Sequence, residues 1–308
     1  MIPPDNFDPP VGTAEMLEPG LRRIVAPNPS PMTYRGTNTY LFGQRELCVI
    51  DPGPLSDTHL DAILAAVEPQ QRVKYIIVTH GHVDHAELAR PLAKAVGGAE
   101  ILAFGDARSG MSPVMRQLHA AGLAGGGEGI DESFAPDRCI VDGEIISCDT
   151  LSLEVLHTPG HIGNHVCLAW EDRCFTADHV MGWASSLVSP PDGDLTDFMA
   201  SCAKLQTRKW RVFYPGHGGP IDAPHERLDW LIAHRQTREA EILQRLGKGA
   251  ATADDLAHQI YTDVPAALLP AATRNVFAHL IDLWGKDHVR AIGELSTAAC
   301  FERRDGGA

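Results

Sequence analysis

The sequence lacks a long apolar run, a paired-cysteine signature and any surplus of positive charge. Its 308 residues contain no stretch near the ~20 apolar residues of a membrane span, which excludes a spanning helix. Seven cysteines (Cys48, Cys139, Cys148, Cys167, Cys174, Cys202 and Cys300) are odd in number, scattered and without a CxxC pair. That spacing predicts no disulfide framework and fits a reducing compartment. The opening MIPPDNFDPP has no basic stretch followed by an apolar one, so no secretory leader is expected and a cytoplasmic protein is. Acidic residues outnumber basic ones 40 to 26, a formal net charge of -14, so no broad basic surface for nucleic acid is expected. No GxSxG is present, which argues against a serine nucleophile, and the cysteines read as packing residues. What remains is ordinary globular composition, 44% hydrophobic and 21% charged, enough to bury a sizeable core.

The chain reads as strands interleaved with helices up to about residue 222, then an α-rich tail. The first 30 or so residues are Pro-rich and read as an irregular opening segment. Two β-like runs, Thr39–Phe42 and Glu46–Asp51, flank a turn. Ser56 can cap a helix carrying Leu60, Ile63, Leu64 and Val67 at helical spacing. Val73–Thr79 is a short apolar run of the buried-strand kind, followed by a helix from about Ala86 that Pro91 should distort. Gly125–Gly127 and Gly129 lie outside any strand-to-helix pattern, so they read as a connector rather than a phosphate cradle. Val166–Trp170 and Cys174–Ala177 predict a hairpin, and Arg211–Tyr214 a last strand. Beyond Pro224, three helical stretches and a terminal hairpin predict a small winged-helix-like unit. The expected division is a catalytic domain over residues 1–235 and a C-terminal domain over 236–308.

The strongest chemical signal is His80-Gly81-His82-Val83-Asp84-His85, which sets four metal-ligand side chains within six residues directly after a strand. Imidazole with carboxylate suits zinc and its borderline neighbours. His80 and His82 can reach one ion, while Asp84 and His85 can point to a second. One loop cannot fill two sites. His161, Asp178 and His217 each follow a strand too, through Thr158-Pro159-Gly160, Ala177 and Pro215-Gly216 respectively. Ligands at strand ends can converge on one edge of a sheet. His165 and His179 read equally well as groups that fix a ligand or as structural histidines; Trp183 and the loop Ser185–Gly193 are candidates for lining a pocket.

On these residues the sequence resembles the metallo-β-lactamase superfamily. Its HxHxDH motif stands as His80, His82, Asp84 and His85, its second histidine as His161 in TPGH, its aspartate as Asp178 in FTADH, and its last histidine as His217 in YPGHG. Ala177 stands where a glycine is common. The resemblance implies an α+β fold, a four-layered αββα sandwich. It also implies two divalent ions: His80, His82 and His161 on one, Asp84, His85 and His217 on the other, and Asp178 bridging. Zinc is the first expectation, with iron or manganese as the other fits. The stretch Asn28–Tyr40, NPSPMTYRGTNTY, further resembles the beta-lactamase-like protein 2 group, which also carries a C-terminal winged helix and whose animal members are single-strand endoribonucleases.

The resemblance implies a hydrolase in which a hydroxide between two ions attacks the substrate and Asp84 orients it and accepts its proton. The aspartate bridge argues against true β-lactam hydrolysis, and histidine at position 82 argues against the oxygen-reducing di-iron branch. An ester or thioester in a small molecule is the first expectation, with the acidic balance favouring it. Single-strand endoribonuclease is the second. The tail from 221 to 308 carries 10 basic and 13 acidic residues, which is unlike a DNA reader, so a role in dimerisation or in walling the active-site cleft is expected for it. A non-enzymatic regulatory protein with a lapsed metal site is the third reading, and the complete ligand set weighs against it. No membrane partner is expected.

Overall fold

Along Asn38–Gly43 the side chains alternate between two cores. Tyr40 and Phe42 join one buried cluster and Leu41 another, the period of two that a strand covered on both faces requires. The computed structural model describes residues 6–124, 129–262 and 265–304. The strand just named is the third of a seven-stranded sheet in chain order: β1 (Glu15–Glu18), β2 (Leu21–Val25), β3 (Asn38–Gly43), β4 (Glu46–Ile50), β5 (Arg72–Ile77), β6 (Glu100–Ala103) and β7 (Arg138–Cys139). Pairing is antiparallel from β1 to β4 and parallel from β4 to β7.

A second sheet holds β8 (Ile145–Cys148), β9 (Leu151–His157), β10 (Val166–Trp170), β11 (Arg173–Ala177) and β12 (Val212–Pro215), in the spatial order β12-β11-β10-β9-β8. The sheets face each other across Phe42, Ile50, Val155, Leu168 and Phe175. On the outer face of the first sheet lie α1 (Asp57–Ala66), α2 (Val83–Ala86) and α3 (Ala89–Ala95), with Ile63 and Leu92 against Leu41 and Val49. α4 (Pro113–Ala120) sits elsewhere. α5 (Leu195–Gln206) and α6 (Pro224–Leu246) cover the second sheet, with Phe198, Leu205 and Leu228 against Leu156 and Phe213. These are the four layers expected.

The C-terminal part is a winged helix: β13 (Ala251–Thr252), α7 (Ala253–Ile260), α8 (Leu269–Gly285), β14 (Val289–Ile292) and β15 (Cys300–Arg303), the strands pairing as β13-β15-β14. A capping box starts α7, in which Thr252 accepts from the Asp255 backbone and Asp255 accepts from Thr252 N–H. Its core of Leu256, Phe277, Leu280 and Phe301 also takes Met115 and Leu118 of α4, so a helix of the catalytic part packs into the tail. α6 runs unbroken through residues 235 and 236.

Three expectations change. Cys48 on β4 and Cys148 on β8 form a disulfide (S–S 2.16 Å, Cα–Cα 6.5 Å) between the two sheets, where none was expected. Linear spacing of 100 residues carries no sign that two strands of different sheets will face each other. Nor is the opening segment irregular throughout, since β1 and β2 form an antiparallel hairpin at the sheet edge. The prolines around them mask two short runs, EMLE and LRRIV. The helix expected from Ala86 begins at Val83 and breaks at Glu87–Leu88, and Pro91 sits in the first turn of α3, where its missing N–H costs nothing. The reading of Gly125–Gly127 as a connector lies outside the described residues.

Candidate metal centre

Four strands deliver the predicted side chains to one place. Beyond β5 come His80, His82 and α2, with His82 at the N-cap and Asp84 and His85 inside the helix. His161 follows β9 through a turn at Gly160, whose φ is +137°. A Cβ there would stand 2.3 Å from Phe198 Cα, so only glycine lets the turn pass beneath α5. Asp178 follows β11 and Ala177, whose φ of +41° lies in the left-handed region. That backbone explains why glycine is at home at this position and shows that alanine carries strain there. His217 follows β12.

All seven side chains are buried, from 0% exposed for His80 and His85 to 7% for His161 and Asp178. His82 Nδ1 lies 3.0 Å from both His80 Nε2 and His161 Nε2. Asp84, His85 and His217 form a second group, with His85 Nε2 and His217 Nε2 3.3 Å apart and each 3.3 Å from Asp84 Oδ2. Asp178 stands between the groups. Its Oδ2 is 3.7 Å from His161 Nε2, and its Oδ1 is 3.4 Å from both His85 Nε2 and His217 Nε2. That Oδ1 is buried without a well-formed hydrogen bond among the described residues.

The outer ring nitrogens reveal which inner ones are bare. His161 Nδ1 meets Leu187 O at 2.8 Å and His217 Nδ1 meets Gly36 O at 3.2 Å; a carbonyl only accepts, so each Nδ1 carries a proton, which leaves Nε2 as the inward atom that offers a lone pair whenever the ring is neutral, the form a metal binds. His85 Nδ1 donates to Asp51 Oδ2 at 2.9 Å. Thr79 donates its hydroxyl proton to the same oxygen at 2.8 Å, which leaves the hydroxyl oxygen to accept from His80 Nδ1 at 3.0 Å. One carboxylate thereby orients His85 directly and His80 through Thr79, as second partners do at metal sites.

The two groups differ in charge. Burial and the neighbouring His161 push His82 down to about 3; burial first, then the His85 and His82 rings, holds His80 well below the usual range. At His217 burial also opposes the cation, but Asp178 and Asp84 outweigh it and push its pKa up to about 10. Asp178 and Asp84 themselves, despite burial, are held well below the carboxylate range, Asp178 by His217 and His85 and Asp84 by His85 and His217. Facing lone pairs at 3.0 Å and a buried carboxylate oxygen without a hydrogen bond form a donor set that suits a divalent cation in each group. The triads His80–His82–His161 and Asp84–His85–His217 each bring their ligand atoms within 4.8 Å of one another.

Several supporting residues carried no sequence expectation of a role. Besides Asp51 and Thr79, these are Thr37, which donates to Asp84 Oδ2 at 3.2 Å, and Asn38, whose Nδ2 holds Pro215 O and Gly218 O at 2.9 Å around His217. The available signal was a polar GTNTY run opening a buried strand, and a DPG turn closing the next. Of the two flanking histidines, His165 pairs with Thr158 Oγ1 at 3.0 Å and His179 lies 3.5 Å from Cys202 Sγ; neither joins the donor groups. His157, at the end of β9, stacks on Phe104.

Residues 32–217 match the model of the metallo-beta-lactamase superfamily. The chain belongs to that superfamily. Residues 252–297 match the beta-lactamase associated winged helix domain. A beta-lactamase-like protein 2 homolog of Caenorhabditis elegans is 31% identical over 85% of this chain and 83% of its own length. An atrochrysone carboxyl ACP thioesterase of Aspergillus fumigatus is 29% identical over 82% of this chain and 76% of its own. Among solved structures, a beta-lactamase domain protein from Burkholderia ambifaria superposes with a TM-score of 0.81 over 97% of this chain and 96% of its own, at 19% identity. A metallo-beta-lactamase family protein from Thermus thermophilus gives 0.72 over 94% and 100%, at 25%. Metallo-beta-lactamase superfamily members are generally hydrolases. Among the described residues no helix is long and apolar enough to cross a membrane.

Proposed function

We propose that this protein is a dinuclear metal-dependent hydrolase that cleaves an ester or thioester bond in a small molecule. His80, His82 and His161 would hold one divalent ion, Asp84, His85 and His217 the other, with Asp178 shared; zinc fits the donors first. The observation that carries the reading is the convergence of seven buried donors from four strand ends, with outer hydrogen bonds on His80, His85, His161 and His217 that turn their other ring nitrogens inward. Divalent ions held there supply a lowered water pKa and polarise the acyl oxygen. Thr37 holds Asp84 at Oδ2, which leaves Oδ1 to orient the attacking water and take its proton. The oxygen of that water bonds to the acyl carbon, the C–S or C–O bond breaks, and the proton passes to the leaving thiolate or alkoxide.

The thioesterase named among the relatives supports this substrate class. Metal analysis of the purified protein is expected to give close to two divalent ions per chain. The metal-loaded protein should hydrolyse a thioester or lactone in a panel that also contains a phosphodiester and single-stranded RNA, and Asp84→Ala should abolish it. RNA cleavage lost with the same substitution, and no thioester turnover, would replace this reading with the endoribonuclease one. Full activity without metal would refute both.

A further inference from the structure

The donor groups open into a cavity of about 260 Å³ lined also by the C-terminal domain. Away from the metal ligands most of its lining is apolar, with Asp192, Asn275, Tyr261, Ser185 and Ser189 as the polar members. Met32, Met181, Trp183 and Leu187 line it from the catalytic part, and Leu268, Ala271 and Ala272 from the start of the winged helix's long helix and the turn before it. Among the described residues no lysine or arginine lines it. A phosphodiester chain running on past the metal donors needs further cationic partners, and a carboxylate at the far end of an acyl group needs one; among the described residues no lysine or arginine supplies it there. Leu268 is 37% exposed, an apolar side chain left at the cavity rather than in a core.

The cavity is also held in shape. Buried Arg235 donates to Ser186 O and, at 3.0 Å, to Asn275 Oδ1, which accepts again from Val188 N at 3.2 Å. Arg274 donates to Ser189 Oγ and Pro190 O at 3.2 Å. The loop after Asp178 is thereby fastened to α8. Trp183 stacks on Tyr34 at 5.0 Å with a 17° interplanar angle, which fixes its ring. A preformed apolar cavity of about 150 Å³ accepts benzene, so this one has room for a larger uncharged group.

We propose that the cavity is the acyl-binding pocket of the enzyme and selects an uncharged, apolar acyl group, with Leu268 and Ala271 of the C-terminal domain setting the preferred length. The proposal rests on the hydrolase reading above and names its substrate class. With metal-loaded full-length protein and a thioester series from acetyl to octanoyl, kcat/KM should rise about four-fold per methylene until the pocket is full, the gain expected of burying each CH₂. Ala271→Phe should cut the octanoyl-to-acetyl ratio of kcat/KM at least tenfold. Leu268→Ala should move the preferred length upward. Opposite shifts from two neighbouring substitutions cannot come from misfolding.

Calorimetric titration with methyl ketones of increasing chain length, which carry the acyl group and no leaving group, gives a reading independent of turnover. Affinity should tighten with length, with a negative heat-capacity change. Rates and affinities that ignore chain length, or a preference for succinyl over hexanoyl thioester, would overturn the pocket. Graded ketone binding without turnover of any thioester or ester would support the pocket and overturn the hydrolase reading instead.

Discussion

The cavity lining has two parts of opposite character. His82, Asp84, His161, Asp178 and His217 bring charge and bare ring nitrogens, whereas Leu268, Ala271 and Ala272 bring only carbon. The polar part must be oriented to hydrogen-bond precision, so four of its five rings have an outer partner: Asp51 and Thr79 behind His85 and His80, Leu187 O behind His161, Gly36 O behind His217. The apolar part needs only shape and tolerates exchange of one side chain for another. Chemistry is therefore expected to fail abruptly when the first part is altered and selectivity to drift when the second is.

The largest effect should come from Asp178→Ala. It removes the carboxylate whose oxygens face the inner ring nitrogens of both donor groups, so kcat should fall by on the order of 10³-fold, the scale of losing a group that stabilises developing charge. Metal content should fall with it, and a variant that keeps both its metal and its rate would place Asp178 outside the centre. Asp51→Asn should come next. The volume is unchanged, but an amide N–H₂ facing His85 Nδ1 favours the other tautomer, with its proton on Nε2 where a lone pair is needed. Metal affinity should drop about 10–100-fold while the fold persists. Unchanged affinity, measured by chelator competition, would show that the outer partner does not fix the ring.

This division explains what the sequence could show. The polar part was legible because metal chemistry restricts residue types and because each ligand follows a strand, so HGHVDH, TPGH, FTADH and YPGHG announce themselves. The four layers were implied by the family resemblance those motifs carry, whereas the interleaved strands and helices and the winged-helix-like tail followed from hydrophobic periodicity and turn residues. Asp51 and Thr79 escaped because their role is to hold another side chain, and nothing in DPG or in a strand-end threonine says which ring will lie within 3 Å of either. Of the apolar lining, Trp183 and the loop Ser185–Gly193 were expected from their place after Asp178, and the cavity holds Trp183 and Leu187; Met32 and Leu268 escaped because they are ordinary apolar residues, far apart in the chain, that only packing against the loop after β11 brings together. The Cys48–Cys148 pair escaped for the same reason.

A third test asks whether the backbone under the polar part is as constrained as its side chains. Gly160→Ala forces a Cβ into a left-handed turn and to within 2.3 Å of Phe198 Cα. A loss of about 2–3 kcal/mol is expected in denaturant unfolding, together with lowered metal occupancy. A neutral result would mean that α5 can move away.

The smallest effect should be at a polar cluster that is not at the centre. Glu18 at the end of β1 accepts from Arg173 Nε at 2.8 Å, from Arg211 Nη2 at 2.6 Å and from Tyr214, and so ties the edge of the first sheet to the second. Partial burial would raise its pKa, but Arg173, Tyr214 and Arg211 outweigh that and bring it down to about 2 from an ordinary 4.5. Because the folded-state pKa is depressed, its contribution is complete above about 4.5 and is lost as pH falls toward about 2. Glu18→Gln should therefore lower Tm by only about 2 °C at neutral pH, as ion pairs outside a fully buried site do. The gap from the wild type should close between those two pH values, with metal content unchanged throughout. A gap independent of pH would show that the cluster acts through shape rather than charge, and a loss of metal would show that the sandwich edge and the centre are coupled through the sheets.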